Sequence, residues 1–320
     1  MQRIPPVAIG LPVYNGEKYL AESIESVLAQ DFGDFDFLIS DNCSTDSTWE
    51  ICNYYKSIDR RVRIHRHQRN WGSGANGEFV FKNTESKYFM WHAHDDKRES
   101  NMLGVLLKFL DTNPDYVSCS PRLIAINDKG QPVKCINTSF LWDCDSPVER
   151  FLKCFTSYGQ CHAIYGLIRR NNLERLLPFP RLELGGDIVM ALALILQGKC
   201  GQINEGARLF RERVFIDPVE ATIHYARTVF GQTKAYQAFP HSSFWKSLIM
   251  IILSSTSLST TDKLWLARTV LTSAPCRGFI GRDLRHKIKM FLVMNPPLYY
   301  LVTSIRNSLR PFLNSLIRID

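Results

Sequence analysis

Short apolar runs alternate with segments of helical periodicity through the first third of the chain. The run Val7 to Leu11 precedes the segment Glu17 to Gln30, in which apolar residues recur mostly three or four positions apart. The same order predicts strands at 35–40, 62–65 and 88–91, followed by helices at 45–55, 74–81 and 101–110. Because strands that alternate with helices are joined by right-handed crossovers, the pattern predicts a parallel sheet covered by helices.

The pattern changes after this alternating part. A fifth strand is predicted from Tyr116 to Ser120, and it is followed by the strand-like run Arg122 to Ile126 and a turn at Asn127 to Gly130. A hairpin at this point predicts that the sheet becomes mixed.

Composition indicates a folded, intracellular type of protein. The chain has 320 residues, of which 45% are apolar, enough for one large core or two smaller ones. Nine cysteines are scattered without a C-x-x-C pair, which argues against a disulfide framework or a zinc site and predicts reduced thiols. The start has no signal-peptide pattern, so a cytoplasmic location is expected.

Positive charge is concentrated near the C-terminus. Residues 241–320 carry 11 Lys or Arg against three Asp, which accounts for the whole net charge of +8. Apolar runs between these charges are shorter than the roughly 20 residues that a membrane-spanning helix needs. A helical lid, an anionic membrane surface and a nucleic acid are alternative partners for such a region. We favour the membrane surface over nucleic acid, with a first domain at 1–215 and a helical, peripheral region at 216–320.

Polar residues follow each predicted strand. Tyr14 is placed to stack on a flat ring, and Asp41 at a strand end is placed to accept a hydrogen bond from a base N–H. Helix capping and tight turns are the structural alternatives for these loops.

Two adjacent carboxylates end the fourth apolar run. Asp95 and Asp96 come shortly after Tyr88 to Trp91, and ligands of open parallel sheets bind beyond the carboxyl ends of the strands. Hard divalent cations take carboxylate oxygens as ligands. The pattern therefore predicts a cation at this edge of the sheet, bound together with a nucleotide diphosphate.

Taken together, these loops resemble a known family. The segments Pro12 to Leu20, Ser26 to Gln30, Ser40 to Thr48, Asn70-x-Gly72 and His94-Asp95-Asp96 closely resemble glycosyltransferase family 2. The resemblance is strong over residues 7 to about 130, and weaker to about 215. It implies a GT-A fold, which is a Rossmann-like three-layer α/β/α sandwich with a mostly parallel sheet.

The resemblance also implies roles for residues of this chain. The implied nucleotide-binding residues are Pro12, Tyr14, Glu17, Asp41, Asn70 and His94. Asp95 is the implied ligand of Mn²⁺ or Mg²⁺, and Asp96 is a second candidate. The first acidic residue of the family's D-x-D motif is Ala93 here, which leaves the cation fewer protein ligands. Mg²⁺ commonly binds through one or two carboxylates plus substrate phosphates, so a site with Asp95 alone remains chemically sufficient.

A catalytic base is implied further along the chain. Asp187 occupies the family's position for this base, although Gly186 replaces the usual Glu, and a carboxylate at a helix start also complements the helix dipole. Glu183 in the same loop is the alternative base. Arg211 or Arg213 reaches the diphosphate or pairs with a surface glutamate.

The resulting hypothesis is an inverting glycosyltransferase that uses a nucleotide-diphosphate sugar, with UDP the expected nucleotide. The expected acceptor is a lipid-linked or polysaccharide glycan at the cytosolic face of a membrane. One alternative is a nucleotide-sugar-binding protein of the same fold with weak or no activity. A nucleotidyltransferase is disfavoured, because the loop Pro12 to Gly16 has neither a basic residue nor a glycine cluster.

Overall fold

A computed structural model of the chain describes residues 3–136, 142–156, 162–179, 186–211 and 240–272. Glu183, Arg213 and the part of the basic region beyond residue 272 lie outside the described residues.

Strands and helices alternate through the first 112 residues, as predicted. The strands are β1 Val7–Val13, β2 Phe35–Asp41, β3 Val62–Arg66, β4 Tyr88–Trp91, β5 Lys97–Arg98, β6 Tyr116–Ile126, β7 Pro132–Ile136, β8 Leu167–Arg169 and β9 Lys199–Arg211. The helices are α1 Leu20–Leu28, α2 Thr48–Ile58, α3 Ser73–Lys82, α4 Met102–Thr112, α5 Pro147–Thr156, α6 Arg170–Glu174, α7 Gly186–Gln197, α8 Pro240–Ser254 and α9 Thr260–Thr272.

All the strands described belong to one sheet in the order β3-β2-β1-β4-β8-β6-β9-β5, with β7 paired to β6. The half that contains β1 to β4 is parallel, as predicted. Beyond β4 the neighbours β8, β6 and β7 pair in antiparallel fashion, and only β6 and β9 are parallel. The sheet is therefore mixed, and the prediction of a mostly parallel sheet holds only for its first half.

Two differences from the predicted bounds have local causes. Strand β6 continues through Pro121, where its register with β9 shifts between Ser120 and Arg122. Proline removes a ladder hydrogen bond, which is tolerated at such an irregularity. Helix α1 begins at Leu20 instead of Glu17, because the Glu17 side chain bonds to the next loop and the intervening residues form a turn.

The core lies on both faces of the sheet. One cluster joins β1, β2 and β4 to α1, α2 and α4, with Ile9, Phe37 and Leu106 fully buried. The other joins the opposite face to α3, α5, α7 and α8, with Val80 and Leu194 fully buried. Burial of each such side chain contributes about 1.5–3 kcal/mol. The structure is thus a three-layer α/β/α sandwich that holds the carboxyl ends of β1 to β4 in fixed positions.

Helices α8 and α9 contact each other, and α8 also packs on α7. Several large apolar side chains of the pair are 48–63% exposed, namely Met250, Leu253, Leu264, Trp265 and Leu271. Within the described ranges, every helix is too short or too polar to cross a membrane.

Candidate active site

The loops that follow β1 and β2 are joined by hydrogen bonds. The Asn15 N–H donates to Ser44 Oγ at 2.9 Å, and Asn15 Oδ1 accepts from the Thr45 N–H at 2.9 Å. Glu17 Oε2 accepts from the Ser47 N–H at 3.0 Å, at the start of α2, where an acidic group also complements the helix dipole. Asn15 thus joins two loops, and no side chain caps α1. These bonds fix the backbone at the carboxyl ends of two neighbouring strands.

Asp41 lies at the end of β2 and is fully buried. Its Oδ1 accepts a hydrogen bond from the Ser44 N–H at 3.0 Å. Its Oδ2 lies 3.1 Å from Arg66 Nε, close enough for an ion pair, but the direction does not make a hydrogen bond, so this oxygen has no hydrogen-bond donor. A buried carboxylate oxygen without a donor is unusual, because the desolvation of such an atom is costly.

Asn70 is also part of this edge of the sheet. Its Oδ1 accepts from Asn42 Nδ2 at 2.9 Å and from the Gly72 N–H at 2.8 Å. The Asn42 Oδ1 in turn accepts from the Trp71 N–H at 2.9 Å. Gly72 has a φ of 86°, a backbone conformation that favours glycine. Asn70 therefore shapes the loop after β3, beside Asn42 and next to Asp41.

His94 is placed against the first loop. A Cβ atom added at Gly16 would lie 2.8 Å from His94 Cδ2 and 2.6 Å from Val13 Cγ2, which is closer than real Cβ contacts. Only glycine therefore allows the loop after β1 to approach His94 in this way. Tyr14 and Glu17, the other predicted nucleotide-binding residues of this loop, lie two positions before and one position after Gly16 in the chain.

The two adjacent carboxylates have different surroundings. Asp96 is buried, and its Oδ2 pairs with Arg208 Nε and Nη2, each at 2.6 Å. Its Oδ1 accepts from the Arg211 N–H at 3.2 Å. Asp95 is only half-buried, so its side chain retains access to solvent. Of the two residues, Asp95 is therefore the more accessible to solvent.

A divalent cation would find few protein ligands in this arrangement. Among the described residues, no group of three or more His, Cys, Asp or Glu side chains is arranged to hold a metal ion. The half-buried Asp95 supplies a hard oxygen donor, which fits Mg²⁺ or Mn²⁺ if phosphate and water oxygens complete the coordination.

Asp187 lies in the first turn of α7, as the sequence predicts. Burial raises the pKa of its carboxyl group, and the hydrogen bond from the Ile188 N–H at 2.9 Å opposes part of this shift. Asp187 is exposed by its surface area. Nearby protein atoms nevertheless desolvate its carboxylate, which is the main cause of the raised pKa. A carboxyl group with a raised pKa is a stronger base once it is ionised.

Tyr165 is a further residue on which the charges of these carboxylates act. Burial raises the pKa of its phenol to about 12, and the negative charges of Asp187, Asp96 and Asp95 contribute. The Arg208 guanidinium lies over the Tyr165 ring, with Cζ 3.9 Å from its centre. The charges of three carboxylates thus act on one tyrosine, although Asp95 and Asp187 are far apart in sequence.

A buried network supports the end of β4. Arg98 Nε donates to His92 Nδ1 at 2.8 Å, so the His92 proton is on Nε2, which lies 2.8 Å from Ser23 Oγ. The Ser23 hydroxyl donates to the Ala93 carbonyl at 3.0 Å. Burial and the adjacent Arg98 charge hold the pKa of His92 well below its usual range, while burial and Arg208 lower the pKa of Arg98 to about 9. This chain of bonds fixes the backbone that precedes Asp95.

Arg211 is committed to other protein groups. Its Nη2 pairs with Glu22, its Nη1 donates to the Asn127 carbonyl, and its Nε donates to the Asp95 carbonyl at 3.2 Å. The guanidinium also lies over the Tyr19 ring. Arg211 therefore positions the Asp95 backbone, and the described contacts do not direct it toward a diphosphate.

The sheet order, the loops at its edge and the two packed helical layers define a GT-A-like α/β fold. The first 349 residues of S. aureus TarS, solved in complex with UDP, superimpose with a TM-score of 0.60 at 16% identity, covering 85% of this chain and 74% of that chain. The complex of the same protein with UDP-GlcNAc gives a TM-score of 0.62 at 16% identity, with 89% and 79% covered. At this identity the likeness concerns the fold.

Sequence comparison gives the family. The profile described as Glycosyl transferase family 2 matches residues 8–177, and the chain belongs to that family of transferases. The predicted resemblance is thereby confirmed.

Individual relatives match a shorter part of the chain. An uncharacterized glycosyltransferase of Rickettsia felis is 32% identical over 134 residues, which is 42% of this chain and 22% of that protein. TuaG of Bacillus subtilis, a glycosyltransferase named for teichuronic acid biosynthesis, is 29% identical over 106 residues, which is 33% of this chain and 42% of TuaG. The chain thus spans less than half the length of either curated relative.

Proposed function

We propose that the protein transfers a sugar from a uridine diphosphate sugar to a hydroxyl group of a glycan acceptor. The observation that carries this proposal is the buried Asp41 Oδ2, which has no hydrogen-bond donor and lies at the carboxyl end of β2. Uracil has an N3–H donor, whereas the corresponding nitrogen of cytosine is an acceptor. A buried oxygen that lies against Arg66 but accepts no hydrogen bond therefore favours uracil over cytosine.

The diphosphate is the leaving group, and it departs with additional negative charge. Asp95 is the residue that would hold a divalent cation there, and such a cation stabilises the departing charge as a Lewis acid. The hydrogen bonds from Arg211 to the Asp95 carbonyl and from Ser23 to the Ala93 carbonyl hold this segment in place.

The acceptor hydroxyl is a poor nucleophile until its proton is removed. Asp187 is our proposed general base, because burial raises its pKa toward neutrality and because it shares the surroundings of Tyr165 with Asp95. Such proton transfer contributes about 10²–10⁴ in rate. Attack from the side opposite the diphosphate gives inversion at the anomeric carbon, with no covalent intermediate on the protein.

The acceptor is proposed to be a lipid-linked or polysaccharide glycan, reached from a membrane surface. Support comes from the exposed apolar side chains of α8 and α9, which lie beside Lys246, Lys263 and Arg268. Apolar and basic residues in such proximity are typical of interfacial helices at anionic lipid.

A single substitution tests the donor site. Asp41→Asn keeps an oxygen for the Ser44 N–H but replaces the unused acceptor with an amide N–H, so we expect UDP to bind at least about tenfold more weakly, the loss of one charge-assisted bond. The measurement is calorimetric titration of UDP, GDP and CDP. Asp36→Asn on the same strand, where Asp36 pairs with Arg63, is the matched control. Equal UDP affinity in the wild type and Asp41→Asn would refute this donor site.

A second candidate is a nucleotide-sugar-binding protein without transferase activity. It is favoured by Ala93 and Gly186, which replace two acidic residues expected from the family resemblance. Release of UDP from a UDP-sugar in the presence of Mn²⁺ distinguishes the transferase from the binding protein, because a binding protein releases no UDP.

A further inference from the structure

A groove runs along the edge strand β3, on a part of the molecule that the proposed reaction does not use. A cavity of about 710 Å³ is lined by His65, Arg66, His67, Gln68, Arg69, Trp71 and Phe79. A second cavity of about 310 Å³ shares His65 and Phe79 with the first and continues along β3 to Lys56. Among the described residues, β3 is the end strand of the sheet, so the groove is open along its length.

Aromatic rings form one wall of the groove. The His67 ring lies 4.2 Å from the Trp71 ring and 4.6 Å from the Phe79 ring, and His65 lies 4.3 Å from Phe79, measured between ring centres. His67 is held by bonds from its Nε2 to Asn76 Oδ1 at 3.1 Å and to Ser40 Oγ at 3.2 Å. Trp71 is 47% exposed, so its ring is available to a ligand. The electron-rich faces of such rings attract the polarised C–H groups of a sugar ring.

The charged residues of the groove are all basic. Both cavities together are lined by Lys56, Arg63, Arg66 and Arg69, and none of the lining residues is acidic. Arg63 pairs with Asp36 and Arg66 with Asp41, which leaves Arg69 and Lys56 as cations without an ion-pair partner in the described part of the chain. Of the two unpaired charges, Arg69 lines the larger cavity and Lys56 the smaller one.

The groove is separate from the proposed uracil site. Neither Asp41 nor Asn70 lines it, although Arg66 pairs with Asp41 and the backbone of Trp71 bonds to Asn42. A size of several hundred cubic ångströms suits an extended ligand of several rings.

We propose that this groove binds an acidic glycan chain, in which sugar rings stack on Trp71 and His65 while carboxylate or phosphate groups pair with Arg69 and Lys56. The choice of a glycan rests on the proposed function, since a glycosyltransferase that extends a chain gains from holding it at a second site. A single-stranded nucleic acid also stacks on aromatic rings. It carries one phosphate for every base, however, and a groove with only two unpaired cations among its described lining residues matches the sparser charges of a glycan better.

Binding of a defined acidic oligosaccharide tests the groove. Oligogalacturonate is titrated into the full-length protein and followed by calorimetry, with a neutral malto-oligosaccharide and an oligouridylate as comparison probes. We expect oligogalacturonate to bind more tightly than either, and Trp71→Ala and Arg69→Gln each to weaken it at least about fivefold, the usual size of an aromatic or Arg anchor. Circular dichroism establishes that each variant is folded, and the exposed Arg69 side chain provides a test if Trp71→Ala does not fold.

Matched controls make the result specific. Trp265→Ala removes a second half-exposed tryptophan, 49% exposed, and Arg175→Gln removes an exposed arginine on another element. Absence of oligogalacturonate binding, equal weakening by the control variants, or tighter binding of oligouridylate would overturn the proposal. UDP affinity should be unchanged in Trp71→Ala and Arg69→Gln. If the wild type binds oligogalacturonate through these residues but binds no UDP, the donor proposal fails while the groove is retained.

Discussion

Asp96 and Arg208 form a buried ion pair that joins the segment after β4 to strand β9. The two residues are 112 positions apart in sequence, and Arg208 Nε lies 2.6 Å from Asp96 Oδ2. Strand β5 pairs with β9 so that Arg98 lies directly opposite Arg208, which places two guanidinium groups beside this one carboxylate. The pair also orients Arg208 over Tyr165, and so connects the backbone near Asp95 to the residues around Asp187.

Removal of Arg208 is expected to destabilise the fold strongly. Arg208→Gln leaves the buried Asp96 charge without its partner, which costs about 3–5 kcal/mol in the free energy of unfolding. Urea denaturation measures this quantity. In the double variant Asp96→Asn with Arg208→Gln, the loss should be smaller than the sum of the single losses, because no unpaired charge remains.

The exposed pair Arg3 and Asp34 is a suitable control, since its side chains are 83% and 39% exposed. Arg3→Gln should change the free energy of unfolding by at most about 1 kcal/mol. Additive losses in the Asp96 and Arg208 double variant would contradict a specific pairing.

Substitution of Asp187 is expected to separate chemistry from donor binding. Asp187→Asn removes the proposed base, so transfer should fall at least about 100-fold while UDP affinity stays within about twofold. Transfer to acceptor is measured with a radiolabelled UDP-sugar. Asp262→Asn, in the first turn of α9, is the control for a carboxylate in the same position of another helix. Full transfer activity in Asp187→Asn would remove this residue from the role.

The same variant makes a prediction about stability. Because the pKa of Asp187 is raised in the folded state, the folded protein binds a proton more readily than the unfolded chain does, and ionisation of Asp187 opposes folding at neutral pH. Asp187→Asn should therefore be somewhat more stable than the wild type at neutral pH. The difference should shrink as pH falls through the raised folded pKa, and it should be lost below the unfolded pKa of about 3.9. A less stable variant at neutral pH would contradict this assignment.

Stability is expected to depend on pH through His92. Its pKa is held well below the usual range in the folded state, so below about pH 6.5 the unfolded chain binds a proton that the folded protein does not. The contribution of His92 to the free energy of unfolding is therefore fully present above that pH and is lost as the solution is acidified. The slope is up to about 1.4 kcal/mol per pH unit for this histidine, with a further contribution from His67, whose pKa is also lowered by burial.

Urea denaturation at a series of pH values between about 5.5 and 7.5 measures the slope. His92→Asn keeps an acceptor for Arg98 Nε but does not titrate. The slope of its unfolding free energy against pH should therefore be smaller by up to about 1.4 kcal/mol per pH unit, which is the contribution of one proton. An unchanged slope would show that His92 is protonated in the folded state.

Gly16 is expected to be essential for the contact between the first loop and His94. A Cβ in Gly16→Ala would lie 2.6 Å from Val13 and 2.8 Å from His94, so one of them must move. Overpacking of this kind costs about 1–3 kcal/mol, and we expect UDP affinity to fall about tenfold. Gly33→Ala is the control, because the nearest atom to its added Cβ is Arg61 Nη1 at 3.7 Å. Equal UDP affinity of the two variants would show that this loop does not take part in donor binding.

Sequence reasoning predicted the parallel half of the sheet well, because its signals are local. The apolar runs of β1 to β4 and the periodic segments between them identify strands and helices without any knowledge of their partners. Strand β5 has two residues, too few to show a period, and it was missed. Pro121 divided β6 into two predicted strands, although the chain continues through an irregularity in the ladder.

The candidate site also has residues that local sequence patterns mark and residues that only the fold brings together. Asp41 and Asp95 were singled out by their places at and after strand ends, whereas the role of Asp187 came from the family resemblance, and all three roles stay predictions. Only the family resemblance distinguishes Asp95 from Asp96 in the sequence, and only the structure shows that Arg208 pairs with Asp96. The network of Arg98, His92 and Ser23 was not predicted, since no local pattern marks it.

The sequence by itself determined the family, the parallel β-α order and the polar loops at the strand ends, because motif spacing and hydrophobic period are properties of neighbouring residues. Only the tertiary structure decided which carboxylate is buried, where the antiparallel strands insert and which aromatic rings meet along β3. Those outcomes depend on contacts between residues far apart in the chain, and the free energy of such contacts arises only when burial has removed the residues from water.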